Sequence, residues 1–327
     1  MPQDHVHVHA HAHVHVLHRL NYYARSRNTL YSWIHFLKGA YTLNTTISIK
    51  DLVVAKPSKT ILDFIGQEIE IPSGSVVAVI GENGAGKTTL IEALLGEVPF
   101  DGSVSPRIHA TEVGIVFQEN TYNDMLKVYE LIELVTNYKR KDELYSRLLH
   151  SYELEPLSNR YIKDLSGGEA QRLTLALTST RENSYYIFDE ITSGLDFKKR
   201  EKLLKNIKEF TQGKTVLHVT HYFEELVDWA THLLILKEGK IKFFGTISAF
   251  EEIYSHYSII KIMDGKREFL DPINLETIKI EDSLGLITEN SNQESDWLRK
   301  VQQQNLSFTI LKQNLYTSFL LCSERTN

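Results

Sequence analysis

Residues 81–89, Gly-Glu-Asn-Gly-Ala-Gly-Lys-Thr-Thr, constrain the fold of this chain more than any other segment. The apolar residues 75–80 before them are typical of a buried parallel strand, and residues 90–95 after them are typical of a helix start. A glycine-rich turn between strand and helix points backbone N–H groups at one spot, where the helix dipole also favours negative charge. We therefore predict a phosphate-binding loop formed by Gly81, Glu82, Asn83, Gly84, Ala85, Gly86, Lys87, Thr88 and Thr89.

Within this loop, two side chains have distinct predicted tasks. Lys87 offers a mobile cation for the β- and γ-phosphates of a nucleotide, and Thr88 offers a hydroxyl ligand to Mg²⁺. The strand–loop–helix context and the full spacing favour a nucleotide site over an accidental glycine turn.

Further motifs follow the loop in a fixed order. The apolar run 113–117 ends at Gln118, and the serine-glycine turn 165–168 opens onto a helix. The apolar run 185–188 ends in Asp189 and Glu190, with the segment 193–196 close behind it. A second apolar run, 215–219, leads to His221. Taken together, this order resembles the ATP-binding-cassette ATPases over roughly residues 46–262.

The resemblance implies a fold and a division of the chain. The expected class is α/β, a P-loop NTPase with a RecA-like parallel core, an antiparallel β region at about residues 46–73 and a helical lobe at about 121–163. Residues 44–262 would form the ATPase domain, and 263–327 a small α+β extension with a helix at 296–305, a strand at 306–311 and a helix at 315–321. Residues 232–237 and 240–244 read as a hairpin joined through Glu238 and Gly239.

Residue roles also follow from the resemblance. Asp189 would hold Mg²⁺ opposite Thr88, and Glu190 would orient or deprotonate the attacking water. His221 would contact the γ-phosphate, while Gln118 would join the Mg²⁺ shell and act as a hinge to the helical lobe. The segment Ser166, Gly167, Gly168 and Glu169, together with Asp196, would contact nucleotide held by a second subunit.

The resemblance further predicts the partners. Two subunits would bind head-to-tail around two ATP molecules, as a homodimer or, alternatively, a heterodimer, and would drive a separate integral membrane permease. We expect the chain at the cytoplasmic face of the membrane. The C-terminal tail is similar to that of drug- and peptide-exporting transporters, which favours export. The alternative function is a soluble cassette without transport, such as one that serves iron–sulfur assembly.

Composition narrows these options. With 42% hydrophobic and 24% charged residues, the chain resembles an ordinary globular protein, and no run approaches the about eighteen apolar residues that span a bilayer. The net charge of −6 argues against a nucleic-acid partner. The single cysteine, Cys322, excludes an internal disulfide and suits a reducing compartment.

Two further features complete the sequence predictions. Residues 1–43 combine a histidine-alternating tract with a basic, aromatic stretch, and we expect them to be disordered or not native, with metal binding or a membrane-surface helix as alternatives. Lys56 stands just before Pro57, where many relatives have an aromatic residue that stacks on adenine. This departure predicts weak discrimination between ATP and GTP.

Overall fold

The computed structural model describes residues 46–57, 59–109, 111–117, 122–263 and 276–324. The strands are β1 (Ile47–Lys56), β2 (Lys59–Asp63), β3 (Glu68–Ile71), β4 (Val76–Gly81), β5 (Asp101–Ser105), β6 (Val113–Val116), β7 (Tyr185–Asp189), β8 (Thr215–Val219), β9 (His232–Lys237), β10 (Lys240–Thr246), β11 (Ser258–Ile262), β12 (Thr277–Ile280), β13 (Ser283–Thr288) and β14 (Phe308–Lys312). The α-helices are α1 (Lys87–Leu94), α2 (Val128–Thr136), α3 (Glu143–Ser151), α4 (Gly167–Ser179), α5 (Phe197–Phe210), α6 (Ile247–Ile253), α7 (Ser291–Gln303) and α8 (Leu315–Glu324). Short 3-10 helices cover Glu155–Leu157, Ile162–Asp164 and Phe223–Glu225.

A six-stranded sheet forms the centre of the nucleotide-binding part, in the order β10-β9-β4-β8-β7-β6. Its strands pair in parallel except for β10, which forms the predicted antiparallel hairpin with β9. Every residue of β7 and β8 is buried, because both faces of the sheet are covered. The carboxyl ends of β4, β7 and β8 lie side by side at one edge, which brings the predicted loop and the predicted carboxylates together.

The predicted antiparallel region is confirmed as a second sheet, in which β1 pairs with β2, β3 and β5. One hydrophobic cluster joins this sheet to α1 and to one face of the parallel sheet through residues such as Ile49, Leu62, Val79 and Leu90. Burial of these aliphatic side chains stabilises the contact by about 1.5–3 kcal/mol for each.

The helical region covers the other face of the parallel sheet. Leu131 of α2, Leu149 of α3 and Leu173 of α4 share a cluster with Phe188 of β7. The element types agree with the predicted helical lobe, whose described part begins at residue 122. Helix α4 leads from this lobe back to the sheet, and the serine-glycine turn lies at its start, where Glu169 pairs with Arg160 of the lobe.

The C-terminal part contains a third, antiparallel sheet in the order β12-β13-β11-β14. It has the predicted final helix, strand and helix as α7, β14 and α8, and also strands β12 and β13, which the sequence analysis missed. Strand β11 belongs to this sheet although it precedes the expected boundary at residue 262. Helix α8 connects the regions, because Cys322 packs with Phe250 and Leu321 packs with Ile259.

Two predictions concern residues that the structure does not describe in full. The histidine-rich and basic segments of residues 1–43 lie outside the described residues, and so does Gln118. The division of the chain at residues 43 and 262 stays a prediction. No helix among the described residues is long and apolar enough to cross a membrane.

Candidate nucleotide-hydrolysing site

The predicted phosphate-binding loop joins β4 to α1, as the sequence indicated. A Cβ added to Gly81 would lie 2.4 Å from the carbonyl oxygen of Leu236, so only glycine fits there. Gly86 has a φ of +100° and lies against Leu62, which excludes a side chain for both conformational and steric reasons. The glycines therefore set the path of the loop, while Glu82, Asn83 and Gly84 remain exposed at its tip.

Lys87 is held over the loop by the backbone. Its Nζ donates hydrogen bonds to the carbonyl oxygens of Gly81 at 2.7 Å and Glu82 at 3.1 Å. Burial lowers the pKa of Lys87, while the nearby carboxylates of Glu190 and Asp189 oppose that shift. A partly desolvated ammonium at a helix start is well suited to bind an anionic oxygen.

Asp189 ends β7 directly opposite the loop. Its Oδ2 accepts a hydrogen bond of 3.3 Å from the Thr88 hydroxyl. Burial and the neighbouring negative charge of Glu190 raise the pKa of Asp189, against the opposing effects of Thr88 and Lys87. A nearby cation would relieve this cost, because an opposite charge favours the ionised carboxylate.

Glu190 and His221 come together across neighbouring strands. The Glu190 N–H donates to the carbonyl oxygen of Val219 at 3.0 Å, which ties the end of β7 to the end of β8. Its Oε1 lies 3.8 Å from Nδ1 of His221, whose side chain is 52% exposed and so remains accessible from solvent. The φ of Glu190 is +49°, a left-handed conformation that non-glycine residues adopt rarely. The Glu190 side chain therefore does not continue the alternating side-chain directions of β7.

The serine-glycine turn lies at the start of α4. The Ser166 hydroxyl donates to Glu169 Oε2 at 2.9 Å, and the Ser166 N–H donates to the same oxygen at 2.7 Å. The backbone N–H of Ser166 is the main cause of the lowered pKa of Glu169. Ser166 and Gly167 are exposed, so this helix start faces solvent in the single chain.

Asp196 caps α5. Its Oδ1 accepts from the Lys199 N–H at 3.0 Å, and its Oδ2 lies 2.8 Å from Lys199 Nζ. A Cβ added to Gly168 would lie 3.2 Å from Leu195, so the segment with Asp196 runs close to the serine-glycine turn. Both segments are exposed and can take part in a contact with another molecule.

A cleft of about 480 Å³ lies beside the loop. It is lined by Lys59, Thr60, Ile61, Glu82, Asn83, Gly84, Ala85 and Glu238. The walls come from β2 and from the loop, with Glu238 of the β9–β10 turn at one end. Lys56 ends β1 and pairs with Lys59 across the hairpin.

Comparison with known proteins identifies the family. A family model described as ABC transporter matches residues 66–193. The energy-coupling factor transporter ATP-binding protein EcfA1 of Fusobacterium nucleatum subsp. nucleatum is 31% identical over 248 residues, which are 69% of this chain and 93% of that protein. This chain belongs to the ABC transporter ATP-binding proteins. The predicted resemblance is therefore confirmed, and the chain is an ATP-binding ATPase.

Other relatives of this ABC ATPase are named for import. The hemin import ATP-binding protein HmuV of Photobacterium damsela subsp. piscicida is 31% identical and covers 62% of this chain and 88% of its own length. The sulfate/thiosulfate import ATP-binding protein CysA of Bacillus cereus is 30% identical, and the match covers 70% of this chain and 68% of that protein.

Solved structures support the fold of the ABC ATPase. The structure of an ATP binding subunit of an ABC transporter has a TM-score of 0.56 at 23% identity and covers 64% of this chain and 93% of its own. The structure of a bacterial Atm1-family ABC exporter with ATP bound has a TM-score of 0.55 at 21% identity, and the match covers 65% of this chain and 40% of that chain. The predicted P-loop fold class is confirmed.

The oxygen ligands of the ABC ATPase fit Mg²⁺. Thr88 and Asp189 supply one hydroxyl and one carboxylate at hydrogen-bonding distance from each other. Mg²⁺ is commonly bound by one or two carboxylates together with substrate phosphates and waters, so a small protein donor set suits it. In the described part of the chain, no group of three or more His, Cys, Asp or Glu side chains could hold a metal ion without phosphate or water ligands.

The sequence analysis missed a group of polar residues behind the site, all of them buried except the partly exposed Arg200. These are Thr192, Arg200, His218, Thr220 and Glu225. Two signals were available: a histidine within the apolar run 215–219, and a glutamate four residues after His221. The sequence does not show which residues contact this histidine and this glutamate, because the contacts join separate strands and a helix.

Proposed function

We propose that this chain is the ATP-hydrolysing subunit of a transporter and that it acts as a head-to-tail dimer on a separate permease. The observation that supports this most directly is the convergence of Lys87, Thr88, Asp189, Glu190 and His221 at one edge of the parallel sheet. The family membership supports the transporter setting, because the relatives are named as ATP-binding proteins of transporters.

In this proposal the two carboxylates at the end of β7 have different tasks. Asp189 and Thr88 would hold Mg²⁺, which would neutralise charge on the phosphates when bound. Glu190 orients and deprotonates the attacking water, a general-base contribution of about 10²–10⁴-fold. His221, 3.8 Å from Glu190, is placed to contact the γ-phosphate. Gln118 keeps its predicted role as a Mg²⁺ contact and hinge.

The exposed segments around Ser166 and Asp196 form the second half of the site in the dimer. Ser166, Gly167, Gly168 and Glu169 read the γ-phosphate of the nucleotide bound by the partner, and Asp196 lies beside them. ATP binding closes the dimer because ATP contacts both halves, and ADP closes it less well. That difference in affinity is what can shift a permease between two conformations.

The remaining features of the proposal concern location and direction. The subunit binds the permease at the cytoplasmic face of the membrane. Export was predicted from the C-terminal tail, but the relatives HmuV and CysA are named import proteins and give that direction no support. The direction of transport stays a prediction. No observation favours the alternative of a cassette without transport.

The dimer is tested with an ATP-locked variant. Glu190→Gln with ATP and Mg²⁺ should elute as a dimer in size-exclusion chromatography. Adding Ser166→Arg to that variant should leave monomer binding of ATP intact and block dimerisation, because the long cation fills the helix start. Ser307→Arg, an exposed serine of the C-terminal part, is the matched control. A dimer that persists with Ser166→Arg contradicts the cross-subunit role.

A further inference from the structure

A buried carboxylate, Glu225, lies behind the loops that follow β7 and β8. Its side chain is fully buried. Oε1 accepts a hydrogen bond from the Thr192 hydroxyl, and Oε2 accepts from the Thr220 hydroxyl at 2.8 Å. Oε2 also lies 2.9 Å from His218 Nε2. One carboxylate thus links two loops and a strand.

The first of these links restrains the loop that carries Glu190. Thr192 is two residues further along, and the Ser193 N–H donates to the Glu190 carbonyl oxygen at 3.1 Å in the same turn. Glu190 has a φ of +49°. A non-glycine residue keeps such a strained conformation only when its surroundings enforce it. The anchored Thr192 hydroxyl is one of the contacts that enforce it.

The second link restrains the loop that carries His221. Thr220 is the residue directly before it, and the Thr220 hydroxyl accepts a 3.0 Å hydrogen bond from the Tyr222 N–H while it donates to Glu225. The Glu225 N–H in turn donates to the Tyr222 carbonyl oxygen at 3.2 Å. The backbone on both sides of His221 is therefore fixed relative to Glu225.

The hydrogen bonds around Glu225 favour its ionised form despite its burial. Burial pushes its pKa upward, but the hydrogen bonds from His218, Thr192 and Thr220 outweigh this and hold the pKa of Glu225 below its usual value. Arg200 Nε lies 3.7 Å from Oε1, and the guanidinium of Arg200 lies 3.7 Å from the centre of the Tyr222 ring. An ionised carboxylate is an acceptor only, which matches the donors that surround it.

We propose that Glu225 is a positioning residue for ATP hydrolysis. It acts through Thr192 and Thr220 to hold Glu190 and His221 beside each other at the edge of the sheet. The proposal rests on the proposed role of Glu190 in catalysis. It adds that the separation of the two groups is set by a carboxylate that is itself fully buried.

The first test removes one link without changing the volume of the side chain. Thr192→Val deletes the hydroxyl that donates to Glu225, and steady-state ATP hydrolysis by the full chain is then measured. We expect kcat to fall by about tenfold to a hundredfold, since misplacement of a reacting group by about 1 Å can cost that much. The KM for ATP should change by less than about twofold, because the phosphate-binding loop is untouched. Thr192→Ser keeps the hydroxyl and should restore kcat.

A second variant and a control separate positioning from general loss of stability. Thr220→Val removes the hydrogen bond from Thr220 to Glu225 and should show the same fall in kcat at unchanged KM. If Thr192→Val does not fold, Thr220→Val alone tests the positioning role of Glu225. Thr317→Val is the matched control, because Thr317 is equally buried and bonds His256 Nε2 at 2.9 Å in the C-terminal part. It should lower the melting temperature and leave kcat unchanged within about twofold.

The outcomes distinguish this proposal from the proposed function. Wild-type kcat in both valine variants, or an equal fall in Thr317→Val, overturns the positioning role. A fall in Thr192→Val that Thr192→Ser does not restore also overturns it. The proposed function is judged separately by Glu190→Gln: if that variant still hydrolyses ATP normally, the role of Glu190 is wrong. If it is inactive while the valine variants are unaffected, only the role of Glu225 fails.

Discussion

Two buried histidines show how differently the nucleotide edge and the C-terminal sheet are built. His256, before β11, has a partner for each ring nitrogen: Nδ1 lies 3.0 Å from the Tyr254 carbonyl oxygen and Nε2 lies 2.9 Å from Thr317 Oγ1. His218, in β8, has Glu225 at Nε2, but its buried Nδ1 has no hydrogen-bond partner. The buried Nδ1 of His218 at the nucleotide edge is thus unpaired, whereas Nδ1 of His256 in the C-terminal part has a partner.

The same contrast holds for other buried polar atoms and for charge. Among the described residues, the buried side-chain atoms without a partner belong to Gln67, Asn183, Arg200 and His218, all of them before the C-terminal sheet. Glu190 adds a left-handed backbone beside a carboxylate, Asp189, whose pKa is raised. Unsatisfied atoms and strained backbone cost stability and tend to persist where the chemistry needs them. The C-terminal part also has left-handed residues, Glu281 and Asn305, but none of its described residues has a buried polar side-chain atom without a hydrogen-bond partner.

The largest expected effect concerns the nucleotide edge alone. Glu190→Gln should lower ATP hydrolysis by about 10²–10⁴-fold, because an amide cannot accept the proton of the attacking water. ATP binding should persist, which a filter-binding assay can measure. Glu281→Gln is the control, since Glu281 is exposed and pairs with Lys261 in the C-terminal part. Near-normal turnover in Glu190→Gln would remove the general-base role.

The next expected effect concerns the C-terminal sheet alone. Trp297 of α7 is 5% exposed and packs with Ile260, Ile262 and Leu286. Trp297→Ala should lower the free energy of unfolding by about 3–5 kcal/mol, the usual cost of removing a buried aromatic side chain. Thermal melts measure the loss, and hydrolysis assayed well below the melting temperature should match the wild type. A specific fall in kcat would show that the sheet acts on the site.

Elements of the nucleotide edge were largely predictable from the sequence, whereas in the C-terminal sheet only strand β14 was predicted. Strands β7 and β8 are continuous apolar runs that end in charged or polar residues, a pattern that arises when both sheet faces are covered. The sequence analysis missed strands β12 and β13 because both runs are short. The alternation of their residues does not show which strand they pair with. Their pairing with β11 is set by contacts between distant segments.

The site was predictable where a residue's task depends on its neighbours in sequence. Lys87 and Thr88 belong to one loop, and Asp189 and Glu190 follow one strand, so their spacing indicated their place. The buried group around Glu225 depends on Thr192, Thr220 and His218, which approach only after three segments have packed. Sequence spacing does not show that these side chains lie within hydrogen-bonding distance of Glu225.

A smaller effect is expected for nucleotide affinity. Lys87→Ala should weaken ATP binding by about 10–150-fold, because hydrogen bonds to charged groups contribute about 1.5–3 kcal/mol. Equilibrium titration with a fluorescent ATP analogue measures this loss. Lys300→Ala, in which an exposed lysine above the Trp297 ring is removed, should leave the affinity unchanged. Equal affinities of Lys87→Ala and the wild type would contradict the phosphate-binding role of the loop.

The smallest expected effect concerns recognition of the base. Stacking of a base on an aromatic ring contributes about 1–3 kcal/mol in nucleic-acid-binding proteins. Lys56 stands where many relatives have that ring, and the cleft beside the loop is lined by Lys59, Thr60 and Ile61 on the β2 side. The triphosphate contacts do not distinguish ATP from GTP, so we expect the two affinities to differ by less than about tenfold, or 1.4 kcal/mol.

Lys56→Tyr should restore the missing stacking and tighten ATP binding, which titration of both nucleotides against wild type and variant will measure. Lys240→Tyr is a control, because Lys240 is an exposed lysine on the neighbouring β10 that lies near Asp63. A strong preference for ATP in the wild type, with no gain from tyrosine at position 56, would mean that another side chain forms the adenine platform. Variants of the side chains on the β2 wall of the cleft, directly beside the loop, would then be titrated next to find that platform.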